Sequence, residues 1–427
     1  MRMDPLYLIT RVPIPFLARC RIPWNLRAVT SVAEEVPGRE VGVSQGRIER
    51  VWDAVEALYH TGVHPALQLC IRYRGSIVLH RAIGHASGNA PQDAPDAPTQ
   101  LATTDTPFNI FSAAKAVTAM VIHKLDEKGM LHLEDSVCEF IPEFARHGKE
   151  HITIRHILAH RAGIPNLPPE AIDLELLGRP DRVVEILSDA KPRSRPGRLL
   201  AYHAVSGGFV LGEVVRRITG QDIRSVLEKE ILEPLGFQWM RYGVKPEDIS
   251  RVAVNAFTGP PVPPPLSRIL RRALGTGLRE AVDLSNDPRF LTGIIPAANV
   301  ITTAEELSAF YQCLLNEGEL DGVRVFEPRT VRHATGEQSF WEIDLTLALP
   351  IRYGLGFMLG GAVSPFGVDN HEAFGHLGLS NVMSWADPER NISVALLNSG
   401  KPIVSTHVLR LVQLLVEINR AFPKLGG

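Results

Sequence analysis

Strand-like segments stand near both ends of this chain, and a long region of mostly helical periodicity separates them. The apolar runs of strand length, bounded by turn residues, are ALQLCIRY, SIVLHRAIG, YGLGFMLG, NVMSWA and ISVALLN. The first two lie between residues 66 and 84, whereas the last three lie beyond residue 352. Because strands must bury their apolar faces against other elements, the two groups are expected to share one sheet. The sequence therefore predicts a sheet built from both ends of the chain, with a helical region inserted and a cleft between them.

The chain divides into three parts by composition and periodicity. Residues 1–45 are interrupted by Pro and Arg and are expected to form an N-terminal extension laid over the body. Residues 46–106 and 294–427 are predicted to form the α/β sheet region. Residues 107–293 are predicted to form the helical region.

One part of the helical region, residues 259–280, joins the Pro-rich stretch GPPVPPP to the segment SRILRRALGTGLRE. Its basic residues are Arg268, Arg271, Arg272 and Arg279. The simpler interpretation is a solvated helix face. The alternative is a lid over the cleft, and the sequence leaves both open.

Charge, cysteine usage and hydropathy limit the partners of the chain. The 45 Lys and Arg residues nearly balance the 47 Asp and Glu residues, so no long-range field attracts nucleic acid and none is expected as a partner. The four cysteines are widely separated, which is typical of reduced, buried thiols. No run of about 18 uncharged apolar residues predicts a membrane span. Residues 1–24 lack a signal-peptide pattern, so a cytoplasmic location is expected.

Three serines stand in motifs that could mark a nucleophile. Ser44 lies in GVSQG, which satisfies the G-x-S-x-G pattern, but polar EEVPGRE precedes it where a buried strand is needed. Ser188 begins an S-x-x-K motif that ends at Lys191 and runs into the loop-like PRSRPGR. Ser112 begins another such motif, between apolar FNIF and the apolar helix AVTAMVI. Context therefore favours Ser112 as the nucleophile, although the S-x-x-K spacing alone does not.

The spacing of Ser112 and Lys115 suits proton transfer. At the start of a buried helix, residues i and i+3 share one face, so the hydroxyl and the amine can meet. A lysine accepts a proton only when it is neutral. Apolar surroundings and the positive end of the helix dipole both lower its pKa. The sequence therefore predicts Lys115 as the base that activates Ser112.

His156 and His160 have the i, i+4 spacing of metal ligands within RHILAHRAG. The glutamate of an HExxH motif is missing between them. We therefore interpret them as structural residues and expect neither a metal nor another cofactor.

Beyond these motifs, the chain resembles the serine β-lactamase and penicillin-binding-protein-like hydrolases. The resemblance is to the class C-like branch that includes the family VIII carboxylesterases. It covers roughly residues 46 to 420, through FSAAK, LDEKGMLHLEDSVCEFIPEF, ITIRHILAHRAGIP, GGFVLGEVV, ANVITTAEELSAFYQCLLNEGELDGVRV and YGLGF. It implies an α+β, β-lactamase/transpeptidase-like fold, in which helices flank an antiparallel sheet and a helical region is added.

The resemblance also implies further site residues. Tyr202 matches the tyrosine of the second motif, where a phenol could relay the serine proton to the leaving oxygen. Ala204 departs from the asparagine often found two residues later, which weakens a β-lactam or peptide interpretation more than an ester one. His376-Leu377-Gly378 matches the third motif, in which Gly378 lets substrate approach the strand edge and His376 orients Tyr202 or the substrate. The oxyanion would bind the backbone amides of Ser112 and Leu379.

The sequence thus predicts a serine carboxylesterase that acts on a small-molecule ester through an acyl-enzyme. The nearest alternative is a β-lactamase or D-Ala-D-Ala peptidase, which Ala204 and the missing export signal disfavour. An acyltransferase that uses another alcohol in place of water is a second alternative. A catalytically silent scaffold on the same fold is a third, and the presence of Ser112, Lys115 and Tyr202 disfavours it.

Overall fold

Helices make up most of the middle of the chain. A computed structural model describes residues 17–167, 173–339 and 342–425. The α-helices within these ranges are α1 (Gln45–Tyr59), α2 (Ala114–Glu127), α3 (Val137–Phe140), α4 (Ile154–Leu158), α5 (Pro180–Asp189), α6 (Ser206–Thr219), α7 (Ile223–Leu227), α8 (Glu233–Leu235), α9 (Leu266–Leu274), α10 (Leu278–Leu284), α11 (Pro288–Thr292), α12 (Ala304–Leu315), α13 (Pro328–Thr335) and α14 (His407–Ala421). None of these helices is long and apolar enough to cross a membrane, as far as the described residues go.

Strands from both ends of the chain form the main sheet, as predicted. In chain order the strands are β1 (Thr30–Val32), β2 (Ala66–Tyr73), β3 (Ser76–Ser87), β4 (Gln100–Leu101), β5 (Phe108–Asn109), β6 (Arg241–Tyr242), β7 (Val300–Thr302), β8 (Glu319–Leu320), β9 (Val323–Arg324), β10 (Ile343–Asp344), β11 (Leu349–Pro350), β12 (Met358–Leu359), β13 (Val363–Ser364), β14 (Gly367–Val368), β15 (Phe374–Leu377), β16 (Met383–Asp387) and β17 (Ile392–Asn398). The main sheet has the order β1-β3-β2-β17-β16-β15-β12, and β4 pairs with β3. Its strand pairs are antiparallel. The join between the two ends of the chain is the pairing of β2 with β17.

Each face of the sheet is covered by its own layer of helices, because alternate residues of a strand point to opposite faces. Leu69 of β2 and Leu396 of β17 lie in one core with residues of α1 and α14. Cys70 and Ala395 lie in the other core, with residues of α2 and α12. Burial on both faces explains why these strands read in the sequence as continuous apolar runs.

Helix α2 is buried almost all the way round and carries the Ser112–Lys115 motif at its start. Small side chains let its neighbours approach closely. At Gly356, whose φ is +102°, an added Cβ would lie 2.1 Å from the Cβ of Ala119. This close contact explains a glycine of the YGLGF segment and ties the strand end at β12 to the helix that presents the motif.

The conformation of several predicted segments depends on long-range contacts. Residues 30–32, inside the predicted extension, form the edge strand β1 on the main sheet, and residues 1–16 lie outside the described residues. The predicted strand over YGLGFMLG is mostly irregular, and only Met358–Leu359 is a strand. Residues 259–280 hold α9 and the start of α10, and the four arginines there are exposed. That exposure agrees with a solvated basic face.

Candidate active site

Ser112 lies at a sharp turn between a short strand and α2. Strand β5 pairs with β7, and the next residue, Ile110, donates its amide to Val300 O at 3.0 Å. Phe111 then has a φ of +48°, in the left-handed region that costs a residue with a side chain about 1–3 kcal/mol. The chain next forms the 3-10 turn Phe111–Ala113, whose middle residue is Ser112. The strained turn places Ser112 at the N-terminal end of α2, where the residue is only half-buried.

Lys115 lies one turn further along and is only 8% exposed. Its Nζ donates to Ser112 Oγ at 3.2 Å, to Ala204 O at 2.7 Å and to Ala297 O at 3.1 Å. The two carbonyls belong to separate segments of the chain, and together they fix the amine beside the hydroxyl. No carboxylate of the described residues pairs with this amine within 4.0 Å, so its charge has no counter-ion there.

Burial sets the protonation of the site. It lowers the pKa of Lys115 to about 7, because a buried ammonium loses its hydration. It lowers the pKa of both His203 and His376 to about 3, so both imidazoles are neutral near pH 7. It raises the pKa of the Tyr202 phenol, which therefore stays protonated. Lys115 is thus the group of the cluster that can exchange a proton near neutral pH.

Tyr202 is packed over the serine and the lysine. Its hydroxyl interacts with the Ser112 hydroxyl, and its ring centroid lies 4.8 Å from Lys115 Nζ. Its ring also packs against His160, with the centroids 4.7 Å apart. Ala204, two residues later, accepts a hydrogen bond from Lys115 through its backbone carbonyl. Its side chain is a methyl group, whereas the family pattern often has asparagine at this position. The second motif is therefore assembled around Lys115.

The third motif ends strand β15 and faces the same cluster. His376 Nδ1 donates to Leu377 O at 2.8 Å, which leaves Nε2 as the acceptor. That buried Nε2 has no hydrogen-bond partner among the described residues, and the ring centroids of His376 and Tyr202 are 6.3 Å apart. At Gly378 an added Cβ would lie 2.2 Å from Ile110 O. The close approach at this glycine is therefore to the chain before Ser112.

Leu379 follows this contact and begins the turn to β16. Its amide donates to no backbone carbonyl in the described part of the chain. Ser380 and Asn381 continue the turn with φ values of 55° and 70°. Since Gly378 touches the residue two before Ser112, the Leu379 amide and the Ser112 turn are brought to the same end of the cleft. The Leu379 amide is therefore near the Ser112 turn and is not used by the backbone of the described residues.

The competing serines lie elsewhere. Ser188 is fully buried within α5, whereas Lys191 lies beyond the end of that helix and is exposed. Ser44 is the N-cap residue of α1 and has no strand leading into it. His156 Nδ1 is within 3.1 Å of Thr153 N and takes part in the cap of α4, which ends before His160. These two histidines therefore do not share a face of one helix.

Sequence reasoning missed two buried charged groups behind the site. Asp344 Oδ1 accepts from the Tyr202 amide at 3.2 Å, and Asp344 Oδ2 accepts from the Tyr353 hydroxyl at 3.2 Å. Lys401 Nζ donates to Asn398 O at 2.8 Å and lies 4.8 Å from the ring centroid of Phe111. Asp344 lies in the short strand β10 and Lys401 lies in the loop after β17, and no local sequence pattern marks either as a site residue.

The chain is similar to known proteins in both sequence and structure. The sequence matches the Beta-lactamase family over residues 52–416. It is 32% identical over 317 residues to Esterase/beta-lactamase LipL of Mycobacterium tuberculosis (strain ATCC 25618 / H37Rv), which covers 70% of each chain. The structure resembles that of a penicillin-binding protein homologue from Caulobacter crescentus, with a TM-score of 0.74 and 25% identity over 92% of this chain and 100% of the other. It also resembles a family VIII carboxylesterase, with a TM-score of 0.73 and 25% identity over 87% of this chain and 97% of the other.

Proposed function

The chain belongs to the beta-lactamase family of serine hydrolases, and we propose that it cleaves small carboxylic esters through an acyl-enzyme intermediate. The resemblance and the β-lactamase/transpeptidase-like fold expected from the sequence are confirmed. The names of two similar proteins, an esterase/beta-lactamase and a family VIII carboxylesterase, support an ester as the substrate. The roles of individual residues below are part of the proposal.

One observation carries the proposal: a buried lysine without a counter-ion among the described residues stands 3.2 Å from a serine hydroxyl. Burial lowers the pKa of Lys115 to about 7, so a large share of the amine is neutral at physiological pH. A neutral amine at this distance can take the hydroxyl proton directly. The serine hydroxyl beside its amine distinguishes Lys115 from Lys149, a buried lysine that binds two backbone carbonyls away from the site.

In acylation, Ser112 Oγ forms a bond to the ester carbonyl carbon while its proton moves to Lys115 Nζ. The carbonyl oxygen becomes an oxyanion, which the amides of Ser112 and Leu379 stabilise. The tetrahedral adduct then collapses, and the bond from the carbonyl carbon to the alcohol oxygen breaks. The Tyr202 phenol donates its proton to the departing alcohol and regains one from Lys115.

Deacylation runs the same path with water in place of the alcohol. Tyr202 takes a proton from the water while it gives its own proton to the neutral Lys115, and the water oxygen bonds to the acyl carbon. The second tetrahedral adduct collapses, the bond to Ser112 Oγ breaks, and Oγ recovers its proton. The carboxylic acid leaves, and the lysine is neutral again.

The side chain at position 204 favours an ester over an amide or a β-lactam. Alanine offers no polar atom to hold a substrate amide, and the neighbouring carbonyl of the same residue is already engaged by Lys115. A missing hydrogen bond to a substrate amide lowers its binding by about tenfold. An ester has no amide N–H and loses nothing at this position.

The substrate class can be tested by comparing p-nitrophenyl butyrate with the β-lactam nitrocefin. We expect kcat/KM for the ester to exceed that for nitrocefin by at least about tenfold, because Ala204 cannot hold the lactam side-chain amide. In the matched variant Ala204→Asn the ratio should move toward nitrocefin. Faster hydrolysis of nitrocefin than of every ester by the natural protein would contradict the proposal.

The variant Tyr202→Phe should keep the fold and lose most of the turnover. The ring retains its packing on His160, while the relay hydroxyl is lost, and such a relay contributes about 10²-fold or more. The kcat for p-nitrophenyl butyrate and the melting temperature measure the two effects. Tyr353→Phe is the control, since that buried hydroxyl contacts Asp344 and should matter little for kcat. A kcat within twofold of the natural value in Tyr202→Phe would remove Tyr202 from the mechanism.

A further inference from the structure

An apolar cavity of about 150 Å³ adjoins the serine site. This is about ten times the volume of 10–15 Å³ that one water molecule needs. Its far wall is formed by side chains of α6, α9 and α10 and of the chain before α5: Phe209, Leu274, Ala281, Leu284, Leu167 and Leu177. These six residues are only partly buried, so a large apolar surface remains for a ligand to cover.

The cavity is continuous with the residues that hold the nucleophile and its base. Four of its lining residues are direct chain neighbours of site residues: Phe111 precedes Ser112, Val205 follows Ala204, Ala298 follows Ala297 and Leu379 follows Gly378. Ala204 and Ala297 are the residues whose carbonyls bind Lys115 Nζ. When the carbonyl carbon of a substrate contacts Ser112 Oγ, a group attached to that carbon therefore lies at the opening of the cavity.

The polar residues at the cavity are already engaged. Asp173 accepts from the amide of Glu175 at 2.9 Å, and the Thr276 hydroxyl donates to Glu280. The remaining side chains that line it in the described part of the chain are hydrocarbon. Because most of the lining side chains are hydrocarbon, the cavity recognises its ligand mainly by burial of apolar surface.

The placement of the proton-transfer groups decides which side of the ester enters. The departing alcohol must receive a proton, so it has to face Lys115 and Tyr202. Neither of these residues, nor His376, is among the described residues that line the cavity. The group that enters is therefore the one on the other side of the carbonyl carbon, the acyl chain.

We propose that this cavity is an acyl subsite, closed on its outer side by α9 and α10, and that the protein prefers esters of fatty acids of medium length. The inference rests on the proposed ester hydrolysis and specifies its substrate. It also gives the segment 259–280 a role: its arginines stay in water while its leucines cover the acyl chain.

The test keeps the leaving group constant and varies the acyl chain. For p-nitrophenyl esters from acetate to decanoate, burial of each methylene raises binding by about threefold to fourfold at most. We expect kcat/KM to rise at least about 30-fold from acetate to octanoate and to fall once the chain exceeds the cavity. In Ala281→Phe, which fills the cavity, octanoate turnover should fall at least tenfold while acetate turnover stays unchanged.

Asp283→Phe adds the same ring to the exposed side of the same helix and should behave as the natural protein. If Ala281→Phe does not fold, Leu284→Gln, which makes the cavity wall polar, should also lower kcat/KM for the octanoate ester relative to the acetate ester.

A flat chain-length profile, or equal losses on the acetate and octanoate esters in the cavity variants, would overturn the subsite. Ser112-dependent hydrolysis of the acetate ester would in that case still support ester cleavage. A dependence on the alcohol chain alone would also overturn the subsite. Absence of ester hydrolysis with any acyl chain would overturn both proposals.

Discussion

Replacing Ser112 by alanine is expected to lower kcat/KM for p-nitrophenyl butyrate by about 10⁴-fold or more, since loss of a serine nucleophile removes the covalent path entirely. The fold should survive, because among the described residues the hydroxyl contacts the active-site groups Lys115 and Tyr202 and no others. The melting temperature is expected to change little. A second readout is mass: the natural protein should gain an acyl group from a slowly hydrolysed ester, and Ser112→Ala should not.

Ser188→Ala is the matched control, because that serine begins the second S-x-x-K motif of the chain. It is fully buried and its lysine points to solvent from beyond the helix, so ester turnover should stay at the natural level. Unchanged ester turnover in Ser112→Ala would contradict the nucleophile assignment. Loss of turnover in Ser188→Ala with retained folding would contradict it as well.

Replacing Lys115 by methionine is expected to slow acylation by about 10³-fold, within the range of general-base contributions. Methionine matches the length of the side chain but cannot accept the Ser112 proton. The burst of p-nitrophenol in stopped-flow measurements reports acylation directly. A normal burst in Lys115→Met would remove this residue as the base. Lys149→Met is the control, since that second buried lysine binds Ser188 O and Ala190 O away from the site.

The pH dependence of the natural protein follows from the same residue. Because the neutral amine is the active form and its pKa is about 7, kcat/KM should fall about tenfold per pH unit below pH 7 and level off above it. Burial lowers the pKa of Lys401 to about 7 as well, so it could produce the same limb. The variant Lys401→Met separates the two: it should keep the acid limb, whereas the residual activity of Lys115→Met should lack it.

Stability should also rise with pH, but over a higher pH range than activity. The pKa of Lys115 is about 7 when folded, against about 10.4 in an unfolded chain, so the unfolded state binds the extra proton between these values. The free energy of unfolding therefore rises with pH from about 7 to 10, and the buried ammonium destabilises the folded state most below pH 7. Lys115→Met removes this destabilisation, so the variant should be at least as stable as the natural protein at pH 6. A large drop in stability at this pH would indicate a structural role.

Local patterns were enough to predict much of the fold. The apolar spacing of Ile48, Val51, Val55 and Leu58 is typical of an amphipathic helix, and these residues lie on the buried face of α1. The runs over 66–73 and 392–398 predicted strands, and these are β2 and β17, paired with each other. Such patterns depend on contacts between residues that are close in the chain or on the burial of apolar side chains. Both can be inferred from the order of the residues. The loop-rich stretch around β12 was harder to predict, because a glycine there is required by close contact with helix α2.

The pairing of Ser112 with Lys115 follows from their spacing, because residues three apart on a helix share a face. The burial of this lysine between the carbonyls of Ala204 and Ala297 depends on long-range packing, since those residues are about 90 and 180 positions away in the chain. The same holds for the support of Tyr202 by Asp344 and for the apolar cavity beside the serine. A pKa and a cavity are properties of everything packed around a point in space, and the neighbours of that point come from distant parts of the chain.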